Sequence, residues 1–117
     1  MQGKHLLFIK SDVLTKNIYR LTFKFPNKYQ SSIGDQLRRA SLSVVLNIVE
    51  GGAYFISNER NRYLRISYAS LKESKYLIYF ANDLGLLSSQ IYNKLMEEIN
   101  QLAGIIYGLI IKNKRKI

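Results

Sequence analysis

Residues 33–52, IGDQLRRASLSVVLNIVEGG, decide the fold of this chain. The stretch is long enough for about five turns of helix and contains no proline. Apolar and small residues recur along it at steps of three and four, which is the helical period. They form two rows, Leu37, Ser41, Val44, Ile48 and Leu42, Val45, Val49. The stretch therefore predicts a long helix around which the other elements are arranged.

A polar row lies on the same predicted helix. Its members also recur at steps of three and four, so they share one face. They are Gln36, Arg39, Ser43, Asn47 and Glu50. Such a row must find hydrogen-bond partners or face water. We interpret it as a polar network that fixes helix register or the contact between subunits. Arg39 and Glu50 are candidate charge partners, but they are separated by about 16 Å of helical rise, so each needs a partner elsewhere.

The composition predicts one domain covering residues 1–117. Hydrophobic residues make up 47% of the chain, which is enough for a core. The chain has no cysteine, one proline and seven glycines, which favours long helices and excludes a disulfide framework. No secretory signal is visible, and the longest apolar run, residues 102–111, is half the roughly 20 residues of a membrane span. We expect a cytoplasmic protein that does not enter a membrane.

Breaks in the helical pattern predict four helices. A seam through Leu7, Leu14, Ile18, Leu21 and Phe25 gives the first, over residues 4–25, which Pro26 ends. Ser31 or Ser32 is expected to cap the second, and Gly51-Gly52 to end it. The third runs from a cap at Ser57 or Asn58 to Leu84, before Gly85, and the fourth starts at Ser88 or Ser89. We expect the last residues, KNKRKI, to form a frayed basic tail.

The seam of the fourth helix alternates steps of three and four, as in antiparallel bundles. It consists of Tyr92, Leu95, Ile99, Leu102, Ile106 and Leu109. Gly104 and Gly108 share another face, where they would let a neighbouring backbone approach closely. Four helices joined by short turns predict an antiparallel up-and-down four-helix bundle.

The charge balance predicts an anionic partner. The chain has 18 Lys plus Arg against 8 Asp plus Glu, a formal net charge of +10. Such an excess points to nucleic acid, an anionic membrane or an acidic protein, and the placement of the charges favours nucleic acid, RNA more than DNA. The exposed aromatic residues exceed what a small bundle can bury, so self-association is also expected.

A row on the third predicted helix is the candidate binding surface. Arg65, Tyr68, Lys72, Lys75 and Tyr79 recur at alternating steps of three and four and fall within a sector of about 80°. Lysine and arginine suit phosphates, and tyrosine rings suit unpaired bases. Alternatively, Tyr68 and Tyr79 pack at a subunit interface. Further basic candidates are Arg60, Arg62, Lys112, Lys114, Arg115 and Lys116. The predicted core face of this helix is Leu64, Ile66, Leu71, Leu77, Ile78 and Leu84.

The sequence offers few residues from which a catalytic site could be built. His5 is the only histidine, and it lies near the start of the chain, so neither a histidine pair nor a His–Ser arrangement can be built within one chain. The Glu-x-x-His pattern of di-iron bundles does not occur. We expect a protein that is not an enzyme and that holds no metal or cofactor.

The polar row also carries a resemblance. The pattern Q-x-x-R-A-x-x-S-x-x-x-N-I-x-E-G is met by Gln36, Arg39, Ala40, Ser43, Asn47, Ile48, Glu50 and Gly51, and a later Ser-Leu-x-Glu by Ser70, Leu71 and Glu73. Over about residues 24–111 the chain resembles the bacterial family of 23S rRNA intervening-sequence proteins, which are four-helix bundles. That family in turn is similar to the accessory protein of diversity-generating retroelements, a basic pentameric barrel that binds nucleic acid and a reverse transcriptase.

The resemblance implies a homopentamer with a basic surface and without catalytic residues. Three functions remain open at this point. The chain is an oligomer that binds nucleic acid, or an accessory module that docks on a reverse transcriptase, or a purely structural oligomer. Binding to RNA and a neighbouring reverse-transcriptase gene are the observations that separate them.

Overall fold

The computed structural model describes residues 2–52 and 56–115, and the side chains of residues 6–52 and 56–114. Four long helices account for most of these residues: α1 (Gln2–Thr22), α3 (Asp35–Gly52), α4 (Ser57–Asp83) and α5 (Ser89–Arg115). A short helix α2 (Asn27–Tyr29) and a π-helical turn (Gln30–Gly34) join α1 to α3.

The long helices form a four-membered ring. α1 packs against α3 and α5, and α4 packs against the same two helices on the other side. Because successive long helices are neighbours joined by short connections, they run antiparallel. The predicted all-α fold with four helices is therefore confirmed. No helix in the described part of the chain is long and apolar enough to cross a membrane.

Two of the predicted helix ends are confirmed by their hydrogen bonds. Gly85 has a φ of 76°, and the N–H groups of Gly85 and Leu86 donate to the carbonyls of Asn82 and Ala81. This pair of bonds is the Schellman arrangement that a glycine permits at the end of a helix. Ser88 caps α5, because its Oγ accepts a hydrogen bond of 3.2 Å from the N–H of Ile91.

The predicted caps of α3 and α4 are wrong. Helical turns begin directly after Pro26, so Ser31 and Ser32 lie within a continuous helical path and are exposed. Pro26 favours this early start, since its fixed φ and missing N–H suit a helix beginning. At α4 the capping position is Ile56, whose carbonyl accepts the first helical hydrogen bond from Arg60, and no side chain caps that end.

The corner between α1 and α3 is held by two residues that the sequence pattern did not single out. Gln30 Nε2 donates to the carbonyls of Thr22 and Phe25, each at 2.8 Å, which satisfies groups left over at the end of α1. Arg38 donates to Thr22 Oγ1 at 3.0 Å and to the Gln30 carbonyl at 2.8 Å. A Cβ on Gly34 would lie 3.0 Å from the Tyr29 carbonyl oxygen and 3.2 Å from Arg38. The corner therefore leaves little room for a side chain at position 34.

The core contains most of the predicted seam residues. Leu7, Leu14, Ile18, Phe25, Leu95, Ile99, Leu102 and Ile106 are buried, as are Leu37, Ser41, Val44, Val45 and Ile48 of α3. Two predicted core residues of α4, Ile66 and Leu84, are instead about 40% exposed. In the second α3 row, Val45 is buried, whereas Leu42 and Val49 are exposed.

Serines take the place of apolar residues between α3 and α4. Ser67, Ser70 and Ser74 are buried, and the sequence pattern did not place them in the core. Ser67 Oγ donates to the Val44 carbonyl at 2.8 Å, and Ser74 Oγ to the Ser70 carbonyl at 2.9 Å. Because their hydroxyls are satisfied by backbone carbonyls, these small side chains can be buried, and the two helices approach closely.

A buried pair of asparagines connects α4 to α5. The side chain of Asn61 is almost fully buried, and its Nδ2 donates to the Ile110 carbonyl at 3.0 Å. Its Oδ1 accepts from Nδ2 of Asn113 at 2.9 Å. The hydrogen bonds of a buried amide pair form at only one relative position of the two helices. The pair thus fixes the register at this end of the bundle.

Asn61→Leu is expected to lower the free energy of unfolding by about 2 kcal/mol, since it leaves the buried Asn113 amide without its acceptor. Urea unfolding followed by circular dichroism measures the change. Asn61→Leu combined with Asn113→Leu should cost less than the single substitution, because both polar partners are then removed. If the free energy of unfolding of the double variant falls by as much as the two single losses added together, the asparagines are not coupled.

The two glycines of α5 do not have the role predicted for them within one chain. A Cβ at Gly104 or Gly108 would meet nothing within 4 Å, and both residues are exposed. No neighbouring helix among the described residues approaches the backbone there. The close approach expected from their spacing is therefore wrong within one chain.

Candidate nucleic-acid interface

The basic row of the predicted third helix lies on α4, on the side that turns toward α5. Arg65 and Lys72 are exposed, Lys75 is half-buried, and Tyr79 is 48% exposed. The structure thus brings four of the five predicted residues to one accessible strip along the bundle. We refer to Arg65, Tyr68, Lys72, Lys75 and Tyr79 as the basic strip.

The cations of the basic strip are not neutralised by acids. In the described part of the chain, ion pairs join Lys16 to Asp12 and Arg39 to Asp35, and none involves Arg65, Lys72 or Lys75. Lysine and arginine that lack an acidic partner keep their full attraction for an external anion. Their charge is therefore available to phosphates.

Tyr68 has a structural role as well as its place in the basic strip. It is half-buried against the core, and its ring centroid lies 6.3 Å from that of Tyr107 on α5. Lys72 Nζ lies 5.3 Å from the centroid of the Tyr68 ring. Tyr68 thus packs against α5 of its own chain. Stacking on a base and contact with another subunit both stay predictions for this residue.

Tyr79 belongs to an exposed aromatic cluster at the end of α4. Its ring centroid is 6.1 Å from that of Tyr76, which lies at the same distance from Phe80. Tyr76 is 58% exposed and Phe80 42%. Their spacing of three and four residues is the sequence signal that could have extended the predicted row to them. Open ring faces suit stacking on unpaired bases.

The other predicted basic residues lie toward the opposite end of the bundle. Arg62 is exposed, with its guanidinium 5.9 Å from the centroid of the Tyr63 ring, and Arg60 is half-buried beside an apolar cavity. Lys112 and Lys114 are exposed on α5, which continues to Arg115, so the predicted fraying of these residues is wrong. The side chain of Arg115 and all of Lys116 lie outside the described residues.

Part of the polar row from α3 forms the seam between α3 and α4. Ser43 Oγ is 2.8 Å from Ser70 Oγ, and Asn47 Nδ2 donates to the Ser43 carbonyl at 2.8 Å. Gly51 is buried there, and a Cβ on it would lie 3.2 Å from Cβ of Tyr63. These three residues of the motif therefore allow two helices to pack closely.

The other polar and charged residues of the motif face solvent. Gln36, Arg39, Glu50 and Glu73 are all exposed. Arg39 Nε pairs with Asp35 Oδ2 at 2.9 Å, one turn earlier on the same helix, so the distant partner expected for it is not needed. The pair is highly exposed and contributes little to stability. Within the described residues, Glu50 and Glu73 have no ion pair.

The described residues contain no group of three or more acidic, histidine or cysteine side chains that could hold a metal ion. His5, the one histidine, has a side chain outside the described set. Neither a metal centre nor a histidine-based site can thus be assembled from the described side chains.

Comparison with known proteins places the chain in a family. The family model described as the 23S rRNA-intervening sequence protein matches residues 4–108. The chain belongs to this family. The resemblance inferred from the polar row is thereby confirmed, and the match extends through helix α1, where the sequence motif was weaker. No curated protein matches the chain.

A solved structure shows the same fold. It is a protein with unknown function from the S23 ribosomal protein family of Bacteroides thetaiotaomicron, with a TM-score of 0.85 and 16% sequence identity. The likeness covers 92% of this chain and 97% of that chain. At this identity it establishes the arrangement of helices alone. In this chain the family motif residues Ser43 and Gly51 pack α3 on α4.

Proposed function

We propose that this protein is a non-enzymatic oligomer that binds nucleic acid, RNA in preference to DNA, through the basic strip. The observation that carries the proposal is that Arg65, Lys72 and Lys75, along one side of α4, have no acidic partner among the described residues. The net charge of +10 supplies the long-range attraction that brings a polyanion to this surface.

The aromatic cluster supports single-stranded or looped RNA as the form that binds. Tyr76, Tyr79 and Phe80 are exposed near the end of α4, and Tyr79 is itself part of the basic strip. Rings of this kind stack on bases that are splayed out of a helix, which is how sequence-tolerant RNA binding is commonly built. Arg62, Lys112 and Lys114 extend the positive surface beyond the strip.

Binding is expected to weaken steeply with salt. For three or four phosphate contacts, the logarithm of the association constant should fall with the logarithm of salt concentration at a slope of about −2 to −3. Fluorescence anisotropy of a labelled RNA hairpin, titrated between about 50 and 200 mM salt, measures the slope. A DNA hairpin of the same sequence tests the preference for RNA. No binding at the lowest salt would refute the proposal.

Self-association is the second part of the proposal, with five copies as the number that the family resemblance implies. The supporting observation is an apolar row on the outer face of α3, made of Leu42, Leu46 and Val49. Leu46 and Val49 are each 53% exposed. Their spacing places the three side chains on one face of α3. Together they form an exposed apolar surface of the kind against which another helix packs. In an oligomer this face would be covered by another copy.

A further inference from the structure

A second apolar row lies on the outer side of α1. Leu6, Ile9 and Val13 are all 43–44% exposed. They recur at steps of three and four, so they share one face of the helix. We call these three residues the α1 row, and we call the apolar row on the outer face of α3 the α3 row. Each molecule therefore carries two exposed apolar rows of equal length.

The two rows point in different directions. Ile9 and Val13 line a shallow dent together with Gln101 of α5, so the α1 row leans toward α5. Val49 lines a cavity together with Phe8 of α1, so the α3 row leans toward α1. Two copies that joined α3 row to α3 row would leave the α1 row exposed. One kind of contact covers both rows in every copy if the α1 row of one copy packs on the α3 row of the next.

The spacing of the two rows matches when the helices run antiparallel. The steps are three and then four along α1, and four and then three along α3. In antiparallel helices these steps coincide and give three successive layers, as in a helical seam. The layers are Leu6 with Val49, Ile9 with Leu46, and Val13 with Leu42. In parallel helices the steps would not coincide over the whole row.

The two rows also lie at the same height along the bundle. Thr15 Oγ1 donates to the Ser41 carbonyl at 3.0 Å, which places Leu42 opposite residue 14 of its own copy. Residue 14 is next to Val13, and one residue is about 1.5 Å of helical rise. Rotation about an axis along the bundle, with almost no translation, therefore brings the two rows of successive copies together. It also keeps α1 of one copy antiparallel to α3 of the next, as they are within one chain.

We propose that copies of this chain form a closed ring in which the α1 row of each copy packs antiparallel on the α3 row of the next. The inference rests on the self-association in the proposed function, and it names the second face of that contact. A rotation without translation closes a ring, whereas a translation at each step would give an open filament.

The charged residues beyond the apolar layers fit the same register. The next layer pairs Lys16 with Arg39, and each of these cations already has an acid of its own helix at 2.9 Å. The layer after it brings Arg20 to Asp35. Arg20 has no ion pair within the described residues. The contact gives it one, and such charge complementarity favours this register.

Disulfide cross-linking tests the register, because the chain has no cysteine of its own. Val13→Cys and Leu42→Cys are made as two proteins, one with an affinity tag, and are co-expressed so that mixed assemblies form. A disulfide requires Cα atoms about 4.4–6.8 Å apart, so only residues in one layer form it. After mild oxidation with diamide, we expect a covalent dimer of tagged and untagged chains on a non-reducing gel. Neither protein expressed alone should give a dimer.

Leu6→Cys co-expressed with Leu42→Cys is the matched control. Leu6 belongs to the same row as Val13 and has the same exposure, 44%. In the antiparallel register it lies two layers from Leu42, about 10 Å along the helix axis. This pair should give no covalent dimer.

Ile9→Glu tests the α1 row through the mass of the assembly. The substitution places a carboxylate in the middle layer, where it would be buried without a partner. Light scattering on a sizing column should show the 13.6 kDa of one chain. Ile91→Glu should leave the mass unchanged, because Ile91 is similarly exposed at 41% but lies beside Leu21, near the other end of α1.

The outcomes separate the ring contact from the self-association on which it rests. A monomeric wild-type protein would refute both. If wild type is an oligomer but Val13→Cys and Leu42→Cys give no mixed dimer, the ring contact alone is refuted. A dimer of Leu42→Cys with itself would indicate contact between like faces, and a dimer of Leu6→Cys with Leu42→Cys would indicate parallel packing. Either result overturns the proposal, as does an Ile9→Glu protein that keeps the wild-type mass.

Discussion

Replacing Lys72 and Lys75 together with glutamate is expected to lower the affinity for an RNA hairpin by about 100-fold at moderate salt and to make the salt slope shallower by about two. Both lysines lack acidic partners in the described structure, so neither charge is neutralised by an internal ion pair. Reversal of the two charges removes two phosphate contacts and adds repulsion at the same points. Fluorescence anisotropy with the hairpin measures both quantities.

A control of equal net charge separates position from overall charge. Lys16→Glu with Lys28→Glu changes the net charge by the same amount, at two exposed lysines away from the basic strip. This variant should lose less than about tenfold, because screening weakens distant charges at moderate salt. Equal losses in the two variants would show that RNA responds to net charge alone and would remove the basic strip from the proposal.

Leu46→Glu is expected to convert the oligomer to a monomer. Leu46 lies at the centre of the outward apolar row of α3, so a second copy packed on that row would bury the new carboxylate without a partner. An uncompensated buried charge costs about 3–5 kcal/mol, which corresponds to more than about 100-fold in the dissociation constant. Light scattering on a sizing column measures the mass, which should fall to the 13.6 kDa of one chain.

Ile91→Glu is the matched control for this prediction. Ile91 is a comparably exposed aliphatic residue, at the start of α5 and far from the α3 row along the ring of helices. It should leave the mass unchanged. An intact oligomer in Leu46→Glu would show that the α3 row is not the contact surface, and a wild-type protein that is monomeric would refute the self-association itself.

Helix positions were predictable from local signals. Pro26, Gly85 and Ser88 each act on the adjacent backbone, through a fixed φ, a left-handed conformation and a side-chain cap respectively. Their effects can therefore be predicted without knowing which other helix packs nearby. The corner between α1 and α3 could not be read in this way. Gln30 and Arg38 stabilise it through hydrogen bonds to a different helix, and no local pattern specifies those partners.

The content of the core was less predictable than the helices. Ser67 and Ser74 are buried, although serine is usually exposed. The Ser67 hydroxyl donates a hydrogen bond to a carbonyl on α3, and the Ser74 hydroxyl donates to a carbonyl one turn earlier on α4. Leu42 and Leu46 show the opposite failure, since a hydrophobic pattern marks a face to be covered but does not say whether the same chain covers it.

The sequence predicted only part of the candidate surface. The period of α4 correctly gathered Arg65, Lys72 and Lys75 on one face. It could not show that Tyr68 packs on Tyr107, which comes from α5.

The elongated shape of the bundle limits what one copy can cover. The molecule measures 47 × 24 × 19 Å. One copy can therefore contact only the length of RNA that lies along this 47 Å dimension. A protected footprint much longer than this requires several copies side by side on the same RNA. Footprint length would thus count the protomers in contact, independently of the mass of the free protein.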